Sequence, residues 1–271
     1  MFAKIHHASV VLALLLTAGV GPSAVQAATM TEGLKAYKAF AVDRAQRALD
    51  GARQLQAAVK KGDVKAAQDA WIESRKGWEA NETIVGEFFG KYDKIVDPWP
   101  DAKTGYHAIE AALFAGKLDG LAQPTDKLVA NLTAFHKQIS ARSFKITAQK
   151  LLNGTANLAF EVGEEKSKGG ESPYAATSHL DMQENVAGIE AAYKLVFEPV
   201  LRERDAKMAD TIHAQIEKLE ELVKVADIKS LDADAVHRSG EELAAWFVTA
   251  APKLRLKQPK LEEEGEEKEK K

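Results

Sequence analysis

The sequence predicts an all-α protein, and three observations carry that prediction. Apolar residues recur at three- and four-residue steps through most of the chain. Glycine and aspartate fall where such segments would stop and restart. No stretch alternates convincingly with the two-residue rhythm of a strand, and the nearest candidate, 195–200, fits better inside a helix. The chain has 271 residues, 45% of them hydrophobic, and a formal net charge of -3. That length suits one large domain or two small ones with an ordinary core. The weak net charge and the lack of a basic stripe interleaved with aromatics argue against a nucleic-acid partner.

The elements follow in order. From 34 to 59 the apolar stripe is Leu34, Tyr37, Phe40, Ala41, Ala45, Ala48, Leu49, Ala52, Leu55 and Val59. Gly62 is a helix stop and Asp63 an N-cap, so a second helix with Val64, Ala67, Trp71, Ile72, Arg75 and Trp78 folds back as a hairpin. Between 86 and 103 the pattern fails at Gly86, Gly90, Pro98 and Pro100, which predicts an irregular, carboxylate-rich connection. A short helix over 104–114 and a long one over 125–152 come next, then a helical stretch at 156–162 and a polar loop at 163–173. Residues 181–228 read as helix with a kink at Pro199, and the last helix spans 232–251, stopping at Pro252. Asp63 to Trp78 loosely echoes Asp227 to Trp246.

The ends of the chain carry processing and solvation signals. Lys4, His6 and His7 precede an apolar run at 8–20, too short to span a membrane, broken by Pro22. Val25 and Ala27 fit a cleavage site, so residues 1–27 read as a signal peptide and the destination as a Gram-negative periplasm. The sequence has no cysteine, which excludes disulfides, thiolate metal sites, thiol catalysis and a lipidated cysteine. The mature chain offers no membrane span, and the domain is expected over 28–257. Residues 258–271 are nearly all Glu and Lys and read as a disordered tail.

His107 and Glu110 sit three apart, on one face of a largely apolar helix. A buried Glu needs a cation, a hydrogen-bond network or a proton. On spacing alone the pair reads better as a satisfied core histidine beside a salt-bridged Glu. Glu79 and Glu82 repeat the spacing on the helix that carries Arg75 and Trp78. Inward-facing carboxylates with a histidine suit iron, manganese, zinc or copper, although a solvated helix face explains Glu73, Glu79 and Glu82 as well. Asp181, Asn185 and Gly188 form a third set, which on spacing alone reads better as packing and capping.

Gly105-x-His107-x-x-Glu110, followed by Leu113, resembles the GxHxxE signature of imelysin-like proteins. These include the EfeO and EfeM components of bacterial iron uptake and the imelysin peptidases. Arg75-x-x-Trp78-Glu79-x-x-Glu82, with Asp93 and Asp97 downstream, resembles the segment before that signature. Glu171-x-x-Tyr174-x-x-Thr177-x-x-x-Asp181-x-x-x-Asn185-Val186-x-Gly188 resembles a second characteristic block. The resemblance runs from about Thr31 to Ala251. It implies two packed four-helix bundles with the motif at a cleft between them. It also implies a metal site drawn from His107, Glu110, Glu79, Glu82, Asp97 and Asp181. Two departures stand out: Ala175 and Ala176 replace a Ser-His pair, and His179-Leu180 replaces Leu-Trp, so a ligand is either lost there or replaced by His179. The lack of a cupredoxin-like domain matches the short EfeM form.

The first functional expectation is a non-enzymatic periplasmic protein that binds a divalent or trivalent ion, iron first, with copper or zinc as alternatives. It would pass the ion to an inner-membrane metal transporter. The second is binding of an acidic polysaccharide such as alginate, through Lys91, Tyr92, Lys94, Trp99 and Lys103, with a metal as a bridge. The third is an imelysin-type metallopeptidase. A catalytic zinc needs about three protein ligands and an open position, whereas HxxE supplies two and HExxH is absent. His136, His179, His213 and His237 offer no comparable spacing.

Overall fold

The computed structural model describes residues 22–98 and 103–261. Among these residues every regular element is helical and no strand occurs. The apolar run at 8–20, Trp99, Asp101 and residues 262–271 lie outside the described residues.

Helices α1 (Pro22–Lys61) and α2 (Val64–Glu79) form the hairpin that the Gly62-Asp63 turn predicts. Gly62 adopts φ +76°, and the Asp63 carboxylate accepts from Ala66 N at 3.0 Å. A cap of this kind is worth about 1 kcal/mol. Helices α3 (Glu82–Val96) and α5 (Ala122–Ser140) complete a four-helix group with them, and the short α4 (His107–Phe114) lies against α2 and α5. Helices α6 (Ala148–Glu164), α7 (Ser178–Ala192), α9 (Ala206–Val223) and α10 (Ala233–Leu254) form the second group. A π-helical turn, Tyr193–Phe197, and the short α8 (Glu198–Arg204) link α7 to α9 and pack on α1. The two groups join where α3 meets α6 and α2 meets α7.

Several boundaries differ from those the sequence predicts. Helix α3 runs through Gly86 and Gly90, because Ile84, Val85, Phe89, Tyr92 and Val96 bury one face and outweigh about 1 kcal/mol per glycine. It bends at Phe89 (φ -135°, ψ 23°). That bend seats the ring 5.1 Å from Phe135 and 4.8 Å from Phe144, in a cluster that also holds Trp78 and Tyr92. The stretch 125–152 is two helices, separated at 141–147, with Thr147 capping the second. Ile139 and Ile146 are both buried, so the apolar rhythm continues across the break. The segment 181–228 breaks at Tyr193–Phe197 and at Asp205, which caps α9, whereas Pro199 sits in the first turn of α8 where proline is tolerated. The last helix passes Pro252 and ends at Arg255, which takes φ 60°. The Asp63/Asp227 echo is not structural, because Asp227 caps only the three-residue turn Ile228–Ser230.

Candidate metal centre

The last turn of α2 brings Arg75 and Glu79 to the seam between the two groups. Both side chains are essentially sealed from solvent, at 1% and 0% exposure. Arg75 Cζ lies 5.7 Å from the Trp71 ring centre and 5.5 Å from that of Tyr106, so two aromatic faces fix the guanidinium. From there it reaches four carboxylates. Arg75 Nη2 pairs with Glu79 Oε1, Nη1 lies 2.6 Å from Asp97 Oδ1, Nε lies 3.2 Å from Asp181 Oδ1, and Nη2 lies 3.4 Å from Glu171 Oε1.

A second buried cation faces it. Lys166 stands on the three-residue 3-10 turn that follows α6. Its Nζ lies 2.6 Å from Glu82 Oε2, 3.1 Å from Glu171 Oε1 and 3.4 Å from Glu79 Oε2. From α7, Asn185 Nδ2 donates to Glu79 Oε2 at 2.9 Å and to Glu82 Oε2 at 3.2 Å. Gly188, one turn on, lets α7 approach: a Cβ there would lie 2.7 Å from Ala80 O. Asn185 Oδ1 is buried and has no partner among the described residues.

The HxxE pair closes the other side. Gly105 (φ +73°) turns the chain into α4, and a Cβ there would collide with Val96 O. His107 Nε2 lies 3.0 Å from Asp97 Oδ1, and Nδ1 lies 3.2 Å from Glu110 Oε2. Glu110 Oε1 accepts from the backbone N–H groups of Tyr174 and Ala175, both at 2.9 Å. These bonds hold a loop in which Ala176 takes φ 57°.

The charges here are strongly coupled. Burial opposes a charge on His107, but Asp97 and Glu110 overcome it and raise the imidazole pKa to about 9. Burial pushes Asp181 up to about 7, with Arg75 opposing and Glu79 assisting. Burial and the neighbouring Glu79 push Glu82 well above the usual carboxylate range, against Lys166. For Asp97 burial is outweighed by Arg75 and His107, and for Glu171 by Lys166 and Arg75, so both stay below that range. Arg75 and Lys166 remain charged despite burial.

Glu79, Glu82, Asp97 and Glu171 each offer an oxygen, all within 4.8 Å of one another. These four form a carboxylate basin with only oxygen donors. Three of them carry the sequence expectation. The fourth, Glu171, and the intervening cations Arg75 and Lys166 were not singled out as site residues. The loop carrying Glu171 and Lys166 has no periodicity to mark it. His107, Glu110 and Asp181 adjoin the basin without being among the four. Glu79 and Glu82 do not share a helix: Glu79 ends α2 and Glu82 begins α3, and the turn at Asn81 brings them together. At the seam between the two groups the HxxE pair is buried, His107 at 8% and Glu110 at 0% exposure, while the Glu82 and Glu171 side chains keep 14% and 22%. His179 stands apart, its pKa lowered by burial, with Asp227 and Lys76 as its charged surroundings. Of the polysaccharide set, Tyr92 is buried against Phe89 and Phe135, while Lys91, Lys94 and Lys103 are exposed.

The comparisons with known proteins agree with this architecture. Residues 33–104 and 93–245 match the imelysin family, peptidase M75. An EfeM/EfeO family lipoprotein of Staphylococcus haemolyticus is 29% identical over 248 residues, covering 82% of this chain and 84% of that relative. One from Staphylococcus aureus is 29% identical, covering 82% and 86%. The crystal structure of a protein assigned as an iron-regulated protein A precursor from Parabacteroides distasonis superposes with a TM-score of 0.71 at 16% identity, covering 88% of this chain and 97% of that one. The motif at the start of α4, the two helical groups around it and matches spanning most of the chain all lead to one conclusion: this protein belongs to the imelysin family.

Proposed function

We propose that this protein is an exported, non-enzymatic metal-binding component of iron uptake, and that it holds its cargo ion in the basin of Glu79, Glu82, Asp97 and Glu171. The observation that carries the reading is the mutual approach of four carboxylate oxygens within 4.8 Å, one on a buried residue and three on half-buried ones. Oxygen-only donors favour hard cations, iron among them, over soft ones. Six carboxylates surround Arg75, Lys166 and His107, counting Glu110 and Asp181, so a negative excess remains even with all three cations charged. A buried excess of this sort must be met by protons or by a metal. Protons meet it on Glu82 and Asp181, whose raised pKa values make them the groups to release a proton when an ion arrives. His107 and Glu110 act as the support: His107 orients Asp97, and Glu110 ties α4 to the 174–175 backbone.

A peptidase role fits less well. Both oxygens of Glu110 and both ring nitrogens of His107 are engaged, whereas a catalytic zinc needs about three protein ligands and an open position. The similar staphylococcal proteins carry lipoprotein names. We read this chain as acting in the periplasm, passing its ion to an inner-membrane transporter. Calorimetric titration of the metal-stripped protein with Fe(II), Fe(III), Cu(II) and Zn(II) tests the reading. Saturable iron binding that disappears in Glu79→Gln/Glu171→Gln supports it, and binding that survives that double variant contradicts it.

A further inference from the structure

We infer that the ammonium of Lys166 is a built-in stand-in for the cargo ion, filling the carboxylate basin in the metal-free protein and withdrawing when a metal binds. This deepens the metal-binding reading above and rests on it. Lys166 Nζ contacts three of the four basin carboxylates, at 2.6, 3.1 and 3.4 Å. A metal bonded to those same oxygens would lie at about 2.0–2.6 Å from each. It would therefore take the space that the ammonium holds, and the two positive charges would repel.

The two buried cations are built differently. Arg75 belongs to the body of α2, is stacked on Trp71 and Tyr106, and grips Glu79 through Oε1. Lys166 takes the opposite oxygen of that carboxylate, Oε2. Its backbone is a three-residue turn followed at once by Gly169 (φ +76°) and Gly170. Its charge sits on a flexible four-carbon stem rather than a rigid fork. Glu161, half-buried on the last turn of α6, adds to the negative field around the ammonium from outside the basin. Arg75 is thus the permanent counter-charge and Lys166 the exchangeable one. The competition lowers apparent affinity by the fraction of molecules in which the ammonium has left the basin.

Two measurements with Mn(II), a redox-stable probe, test the inference. Lys166→Met keeps the stem and removes the charge, and Mn(II) should bind it at least about tenfold more tightly than wild type, because the competing state is gone. Equal or weaker binding by a folded variant would overturn the inference while leaving the basin intact. The second measurement needs no variant. Acetylation of Lys166 by an activated ester, followed by mass spectrometry, should be slow in the metal-free wild type and faster with Mn(II) bound. A Lys166 that stays protected in the metal-bound protein would overturn the inference. If neither wild type nor Lys166→Met binds Mn(II), the metal reading itself fails, which separates that failure from a failure of the Lys166 claim.

Discussion

Arg75 and His107 share a single carboxylate oxygen: Asp97 Oδ1 lies 2.6 Å from Arg75 Nη1 and 3.0 Å from His107 Nε2. That atom couples the motif helix α4 to the end of α3 and to the buried arginine of α2. Asp97 is also the main partner that carries His107 up to about 9 against burial. Asp97→Asn should therefore drop the His107 pKa from about 9 toward the ordinary imidazole value. An NMR titration of the His107 ring follows it, and an unchanged pKa would mean that Glu110 alone charges the ring.

Arg75 should be essential for folding rather than merely helpful. It is buried among Glu79, Asp97, Asp181 and Glu171, and removing it leaves those carboxylates without their shared counter-charge. Breaking a buried pair from one side costs about 3–5 kcal/mol. Arg75→Ala should lose at least that much in urea denaturation, and Arg75→Lys should recover little, because an ammonium cannot span the fork. A loss below about 1 kcal/mol would be the value expected for an exposed pair and would contradict the buried assignment.

Glu110 should act on the loop that it holds. Hydrogen bonds to a charged acceptor are worth about 1.5–3 kcal/mol each, and Glu110 accepts two from the Tyr174 and Ala175 backbone. Glu110→Ala should speed amide hydrogen exchange at those two positions far more than in the buried body of α9. Uniform acceleration across the chain would point to global destabilisation instead.

The site was partly legible before folding was considered. The three-residue spacing of His107 and Glu110 fixes their common face, and the structure joins them at 3.2 Å. Glu79 and Glu82 were legible as a pair for the wrong reason, since a helix break lies between them. Glu171 and Lys166 stayed hidden because their loop carries no periodic signal, and only the packing of α6 and α7 against α2 and α3 brings them in. Arg75 stood in the sequence beside Trp71 and Trp78 on the second helix, but nothing there marks it as a counter-charge to four carboxylates. It is buried because Trp71 and Tyr106 stack on it, and Tyr106 lies some thirty residues away in sequence. The helix breaks at 141–147 and 193–197 were invisible for a related reason: buried residues continue across both.

The pH dependence of the metal-free protein follows from Asp181. Its folded pKa is raised to about 7, so between the unfolded value near 3.8 and about 7 the native state holds a proton that the unfolded state has lost. The stability contribution is therefore complete below about 3.8 and is lost as pH rises through 7. The melting temperature of Asp181→Asn should decline less from pH 5 to pH 8 than that of wild type. Saturating metal should flatten the wild-type curve by drawing the proton off. Parallel curves for wild type and variant would show that Asp181 titrates normally.

The measurement that bears most directly on the central claim is anomalous diffraction at the iron edge from crystals grown with iron. The account predicts one dominant peak within coordination distance of Glu79, Glu82, Asp97 and Glu171. Lys166 should be displaced and His107 still bonded to Asp97. A peak at Glu164, His237 and Glu241, the other donor group among the described residues, would contradict it, as would a basin still filled by the Lys166 ammonium at saturating iron.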